Sequence, residues 1–435
     1  MADQDLDQIR EHYLPQNLTL AVSVEVFWGF AMALIAVGPI LTVFLQQLGA
    51  SNLIIGLAPA VSLVGITVLQ LPGAHLTRNL HRKRVFLTGG HAVPCGAWIV
   101  VGLLTPSLAA AHPRAMIWVL LAALTAFVVG LGFVTPLWSQ FICRIFPNRR
   151  RGLFFSLALV GGGLGGLAGG YYATRVLSAR AFPGSYAHLF LATGLISLGA
   201  VLIYGLTHET VPPPQEEQEE DLAPSMWSAA RRLWQGDHRL RRYISVRAPY
   251  EFGFAATSFF AVYAIQHFRL PVSVGGGLVM ASSVGGMAAG LLVGRLGDRR
   301  GYRRVMAASM LTIIAATCVG LACGPALFYL VFFLTGAAGG SDAIANLNLL
   351  VEMSEERTRG YYYALYGTLL APVRLLAPLC WGWVGDAASL RWAFAAGLAL
   401  QVLSLVTLLA RVDDPRRPGE RLLRWRPGTW RPRLY

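Results

Sequence analysis

The chain is built from long apolar runs separated by short polar turns, and the runs share nearly one length. Twelve of them, near residues 18–46, 52–74, 85–105, 115–138, 152–173, 186–207, 243–266, 273–294, 305–323, 326–350, 360–384 and 391–410, each read as a helix. About 20 apolar residues in helical form cross a hydrocarbon core of roughly 30 Å, which is what such runs do. Several contain Gly and Pro, as in "GLAPAVSLVG" and "TLLAPVRLLAP". Inside a bundle, neighbouring helices satisfy the backbone groups that these residues free. One connection is long. "VPPPQEEQEEDLAP" is proline-rich and then acidic, the composition of a solvated linker. "MWSAARRLWQGDHRLRRY" follows, combining tryptophans and arginines as a helix lying on a membrane surface does. The pattern predicts an all-α polytopic membrane protein in five parts. These are an N-terminal segment 1–17, six helices within 18–207, a linker with an interfacial helix 208–242, six helices within 243–410, and a basic tail 411–435.

Composition agrees with a membrane setting. Hydrophobic residues make up 55% of the 435 and charged residues 13%, about half the share of a soluble domain. The net charge of +14 does not point to nucleic acid, because its placement follows membrane topology. With the N-terminus inside, 29 of the 36 Lys and Arg fall on the inner side, five on the outer side, and Arg247 and Arg374 within spans. Basic residues stay on the cytoplasmic side, so both termini are expected in the cytoplasm, with the chain in a bacterial inner (plasma) membrane. The acidic first seventeen residues do not resemble a secretory signal, and the first apolar run reads as a retained span. The five cysteines show neither disulfide nor zinc-ligand spacing and read as packing residues.

The two halves repeat each other. "GAHLTRNLHRKRV" (Gly73 to Val85) aligns with "GRLGDRRGYRRVM" (Gly294 to Met306): glycine first, arginine sixth (Arg78, Arg299), and a basic pair at ten and eleven (Arg82 and Lys83; Arg303 and Arg304). "PNRRRGLFFS" likewise aligns with "EERTRGYYYA" at the start of the fifth span of each half. Duplicated six-helix units related by an axis along the membrane normal are a recurring transporter plan. "GRLGDRRGYRR", lying between spans 8 and 9, resembles the cytoplasmic signature of the major facilitator superfamily, with a degenerate copy between spans 2 and 3. That resemblance implies the superfamily's fold, twelve transmembrane helices in two six-helix bundles related by pseudo-two-fold symmetry, and secondary transport by alternating access. In this reading Gly294, Asp298, Arg299, Arg303 and Arg304, with Gly73 and Arg78, form a cytoplasmic latch. Gly294 would allow a close helix approach, and Asp298 would face a helix N-terminus near Gly152, an interaction of about 0.3–2 kcal/mol. Thr77 stands where the signature has aspartate, so the first-half latch is expected to be weak.

Ionisable groups within spans cost about 2.5–3.5 kcal/mol or more at mid-membrane and ask for a reason. Glu25, Glu251, Asp342 and Arg374 are the substrate- or proton-binding candidates. The resemblance implies that spans 1, 4, 7 and 10 line a central cavity, and the three acids fall on spans 1, 7 and 10. At 1.5 Å per residue Glu25 and Glu251 lie roughly 10–12 Å from the inner face, and are expected to face each other. One glutamate is expected to exchange a proton, and Arg374 to pair with an acid or an anionic substrate. "GGGLGGLAGG" in span 5 places Gly161, Gly165, Gly169 and Gly170 as in an antiporter signature, with Gly166 in place of its proline; the same glycines would serve as a helix-packing face. The expectation is proton-linked export of a small organic solute, with an importer or facilitator of a sugar or other metabolite as the alternative. A membrane enzyme or scaffold is the rival from another class. The sequence carries no His-Glu-x-x-His, no Gly-x-Ser-x-Gly and no phosphate-cradling Gly-rich loop with Lys. No cofactor or metal is expected, and the chain is expected to act as a monomer whose partners are its solute, protons and the bilayer.

Overall fold

A computed structural model describes residues 2–77, 80–211, 231, 234–322, 324–354 and 359–414. The described chain is helical throughout the apolar runs. After a short helix, Ala2–His12, the spans of the first half are Leu14–Gln47, Asn52–Val68 continued by Gln70–Thr77, Lys83–Ala111, Pro113–Ile145, Arg151–Ala179 and Gly184–Leu206. Those of the second half are His238–Ala255 continued to Phe268, Val274–Arg300, Tyr302–Ala322, Phe328–Met353, Arg359–Ala387 and Leu390–Arg411. Among the described residues ten helices are long and apolar enough to cross a membrane. The other two spans, 2 and 7, are interrupted ones. Span 2 carries Pro59 and breaks at Leu69, while span 7 carries Pro249 and tightens into a 3-10 turn at Ala256–Phe259. Each interruption shortens the continuous apolar helix without ending the crossing.

The helices form two compact units. One comprises Met1–Glu217 with Phe259–Ser283, the other Gln218–Ser258 with Val284–Tyr435. The compact units are therefore not identical with the two sequence repeats, since the segment from the 3-10 turn of span 7 to the middle of span 8 belongs with the first half. The interfacial helix and linker lie mostly outside the described residues, as do the tail beyond Asp414 and Arg78.

In the first unit an aromatic core forms where spans 4, 5 and 6 meet. Phe141, Phe146, Phe154 and Tyr204 are fully buried there, with Phe146 and Phe154 stacked at 4.8 Å. Span 5 lies along span 1, and its glycines make that possible. A Cβ on Gly165 would overlap the Val26 carbonyl, and one on Gly169 would overlap the Phe30 carbonyl. Gly161 meets the Val22 and Val26 side chains, whereas Gly170 points to Met280 and Gly276 of span 8. In the second unit Tyr243, Met306, Met310, Leu349, Tyr362 and Tyr366 form the equivalent core.

Candidate functional site

Three of the four candidate residues come together in the second unit, on spans 7, 10 and 11. Glu251 accepts from Arg374 Nε at 2.6 Å, Arg374 Nη2 at 2.9 Å, Arg247 Nη2 at 3.1 Å and the Tyr366 hydroxyl at 3.1 Å. Asp342 accepts from both terminal nitrogens of Arg247, at 2.5 and 2.9 Å. Arg247 Nε donates to Tyr366 at 3.0 Å. The charges thus run in a line, Arg374, Glu251, Arg247, Asp342, alternating in sign and summing to zero. Helix geometry sets the spacing. Arg247 and Glu251 sit four apart on one face of span 7, the separation at which side chains on a helix become neighbours. Aromatic rings wall the line: Arg247 lies over Tyr250 at 4.7 Å, Arg374 over Tyr366 at 5.7 Å, and Tyr243 stacks on Tyr366 at 6.0 Å. Cations over ring faces gain about 0.5–2 kcal/mol there. Tyr243 in turn donates to Asn346 on span 10 at 2.6 Å.

Arg247 was counted among the span arginines but not singled out as a candidate, and it is the hub of the network. The sequence signal was available in "RAPYE", an arginine and a glutamate four apart in the otherwise uncharged stretch 243–266. Tyr366 and Tyr243 carry no such signal, because their partners come from other spans.

Glu25 belongs to the first unit and has different company. It accepts a hydrogen bond from the Tyr204 hydroxyl at 3.2 Å, and Tyr204 is held by Trp138 Nε1 at 2.9 Å. Among the described residues Glu25 forms no ion pair. Trp28, one turn along, sets its ring edge-on to His91 at 5.6 Å.

The basic turn at the end of span 2 is held by an acid that follows span 6, and an acid that follows span 12 lies beside the turn at the end of span 8. After span 6, Glu209 accepts from the backbone N–H groups of Lys83 and Arg84 at 2.9 and 3.0 Å and from Arg144 Nη1 at 2.8 Å. It caps the N-terminus of span 3, where unsatisfied N–H groups and the helix dipole favour a carboxylate. Lys83 Nζ closes the turn onto the Thr77 carbonyl at 2.8 Å and Gln140 at 2.5 Å. After span 12, the Asp414 carboxylate lies beside Gly301, which takes φ +85°. Arg303 is buried and donates to the Leu409 carbonyl at 3.1 Å. Asp298 is exposed and accepts from Tyr302 at 3.0 Å, while Arg299 is exposed and Arg304 half-buried.

Gly294 requires a correction. Nothing lies within 4 Å of where its Cβ would stand, so it serves no close approach; the glycine that does is Gly297, against the Tyr302 ring. Gly73 does sit at a close approach, against the Phe133 backbone of span 4.

The profile of the Major Facilitator Superfamily matches residues 26–248 and 243–433, nearly the whole chain. The chain belongs to the Major Facilitator Superfamily. Its solved relatives in fold include a bacterial homolog of the human lysosomal transporter Spinster in an inward-facing conformation (TM-score 0.60, 16% identity, covering 92% of this chain and 94% of that one). A nucleoside transporter (TM-score 0.66, 12%, 90% and 97%) and a D-xylose-proton symporter (TM-score 0.65, 14%, 93% and 99%) share it too. At these identities the likeness concerns the fold. An uncharacterized MFS-type transporter of Mycobacterium tuberculosis is 26% identical over 136 residues, which is 31% of this chain and 20% of the relative. The chain thus spans only about a fifth of that relative's length. This superfamily member is a multi-pass membrane protein, and among its described residues no group of His, Cys, Asp and Glu could hold a metal ion.

Proposed function

We propose that this superfamily member is a secondary active transporter that exports a small organic solute by alternating access, driven by protons exchanged at Glu25. The observation that carries the reading is the contrast between the two glutamates expected to be equivalent. Glu251 accepts four hydrogen bonds, three of them from two arginines. A carboxylate so compensated has no reason to take a proton, since protonation would leave two guanidinium groups facing a neutral acid. Among the described residues Glu25 has one neutral donor, Tyr204, and no cation. A carboxylate inside a span with a hydroxyl for company and no cation is the one whose charge can come and go, as a transported proton requires. The labour divides accordingly, with proton exchange in the first unit and solute binding on the charged line of the second.

Export, rather than import, is supported by the span 5 glycines that resemble an antiporter signature, and cytoplasmic termini in a plasma membrane by the 29-to-5 distribution of basic residues. Infrared difference spectroscopy between two pH values tests the proton site without needing the solute. The protonated-carboxyl stretch that changes with pH is expected to be absent in Glu25→Gln and kept in Glu251→Gln. The opposite assignment would overturn the reading.

A further inference from the structure

The charged line has two heavily engaged members and two with more capacity to spare. Glu251 already accepts four hydrogen bonds, and every nitrogen of the Arg247 guanidinium donates, Nη2 to two carboxylates. Each is flanked by two opposite charges, which leaves one N–H on Arg247 Nη1 and one lone pair on Glu251 Oε2. The ends differ. Arg374 donates through Nε and Nη2 alone, so its Nη1 has no partner among the described residues. Among the described residues Asp342 accepts from Arg247 alone, leaving lone pairs free on both oxygens. Exposure follows the same order: Arg374 and Asp342 keep 20% and 15% of their side-chain surface, Glu251 and Arg247 only 11% and 4%.

An alternating line with free ends presents a cation at one extremity and an anion at the other, with its middle internally compensated. We propose that the solute is a zwitterion with separated charges, its carboxylate on Arg374 and its ammonium on Asp342. The inference rests on the reading of the second unit as the solute site. Charge balance selects the class. The line is neutral, so a bound monoanion or monocation would leave a net charge within the spans, where uncompensated charge costs several kcal/mol. A zwitterion leaves the total at zero and completes a ring of opposite charges. An uncharged polyol would also leave it neutral, but it offers ordinary hydrogen bonds where the two ends call for charge-assisted ones, roughly twice as strong. The separation matters as well, since Glu251 and Arg247 lie between the two ends.

Thermal unfolding of the full-length chain in detergent tests the proposal, because a compound binding the native state raises apparent stability. The probes are 4-aminobutyrate, 5-aminopentanoate and 6-aminohexanoate, each against the alkanoate and the alkylamine of the same chain length. At least one aminoalkanoate is expected to give a saturable upward shift, with apparent affinity at least about tenfold above both one-charge analogues. Arg374→Gln and Asp342→Asn are each expected to abolish that preference, and Arg374→Lys to keep it in weakened form. Equal protection by an alkanoate or an alkylamine, or no protection by any aminoalkanoate, would overturn the zwitterion assignment. The comparison on the unmutated chain stands even where a variant does not fold. Its failure is separable from failure of proton coupling, which is read at Glu25 by infrared in a different unit of the protein.

Discussion

Removing Arg247 and then its partner gives the sharpest test of the charged line. Arg247 donates three hydrogen bonds to carboxylates and one to Tyr366. At about 1.5–3 kcal/mol for each bond to a charged group, a simple sum for the three carboxylate bonds would be roughly 5–9 kcal/mol. That sum overshoots, because Glu251 keeps Arg374 and a methionine in place of Arg247 fills the volume of the stem. Breaking a buried pair by deleting one member costs about 3–5 kcal/mol, much of it from the charge left behind. Arg247→Met is therefore expected to lose about 3–5 kcal/mol. In an Asp342→Asn background the stranded charge no longer exists and Glu251 keeps Arg374, so the same change should cost only about 1–2 kcal/mol. The double-mutant cycle then gives a coupling of about 1–4 kcal/mol in the stabilising direction. Equilibrium unfolding of the four proteins in mixed micelles measures it. If the two changes simply add, within about 0.5 kcal/mol, Arg247 and Asp342 do not act as a pair and the line as drawn is wrong.

Three further outcomes are expected. Glu209→Ala removes the cap of span 3 and the ion pair of Arg144, which keeps the His81 and Leu80 carbonyls, so the first unit should lose about 1–2 kcal/mol; thermal unfolding of the variant checks this. Gly165→Val puts methyl groups where the Val26 carbonyl stands, and should destabilise by about 1–3 kcal/mol or more. Gly199→Ala, with nothing within 4 Å and a mid-helix position, should instead stabilise by up to about 1 kcal/mol; both are read as shifts in unfolding midpoint. Tyr204→Phe deletes the one hydrogen-bond donor to Glu25 among the described residues and should shift the frequency of the Glu25 carboxyl band in the infrared, without removing the band.

The fold was legible because membrane spanning writes itself into length and apolarity, and the duplicated turns at Gly73 and Gly294 announced two related halves. What the sequence could not disclose was pairing between distant elements. Glu209 lies 126 residues from Lys83, at the head of a proline-rich stretch, and no local period marks it as the acid that closes the span 2 turn. Thr77 signalled a missing aspartate, yet not that a carboxylate would arrive from beyond span 6. Arg247 was visible within span 7, and only its bidentate grip on Asp342 marks it as a member of the site. Glu25 and Glu251 looked equivalent by depth and span number, and their partners alone distinguish them. The deviation of the compact units from the repeats is equally invisible to composition, since both parts of spans 7 and 8 are apolar.

The neutrality of the line from Arg374 to Asp342 has an electrical corollary. A solute that carries no net charge, moved by a site that carries none, does no work against the membrane potential, which is about 2.3 kcal/mol per elementary charge at 100 mV. Any steady current recorded from this protein would then count protons only, and the ratio of that current to solute flux would give the coupling stoichiometry directly.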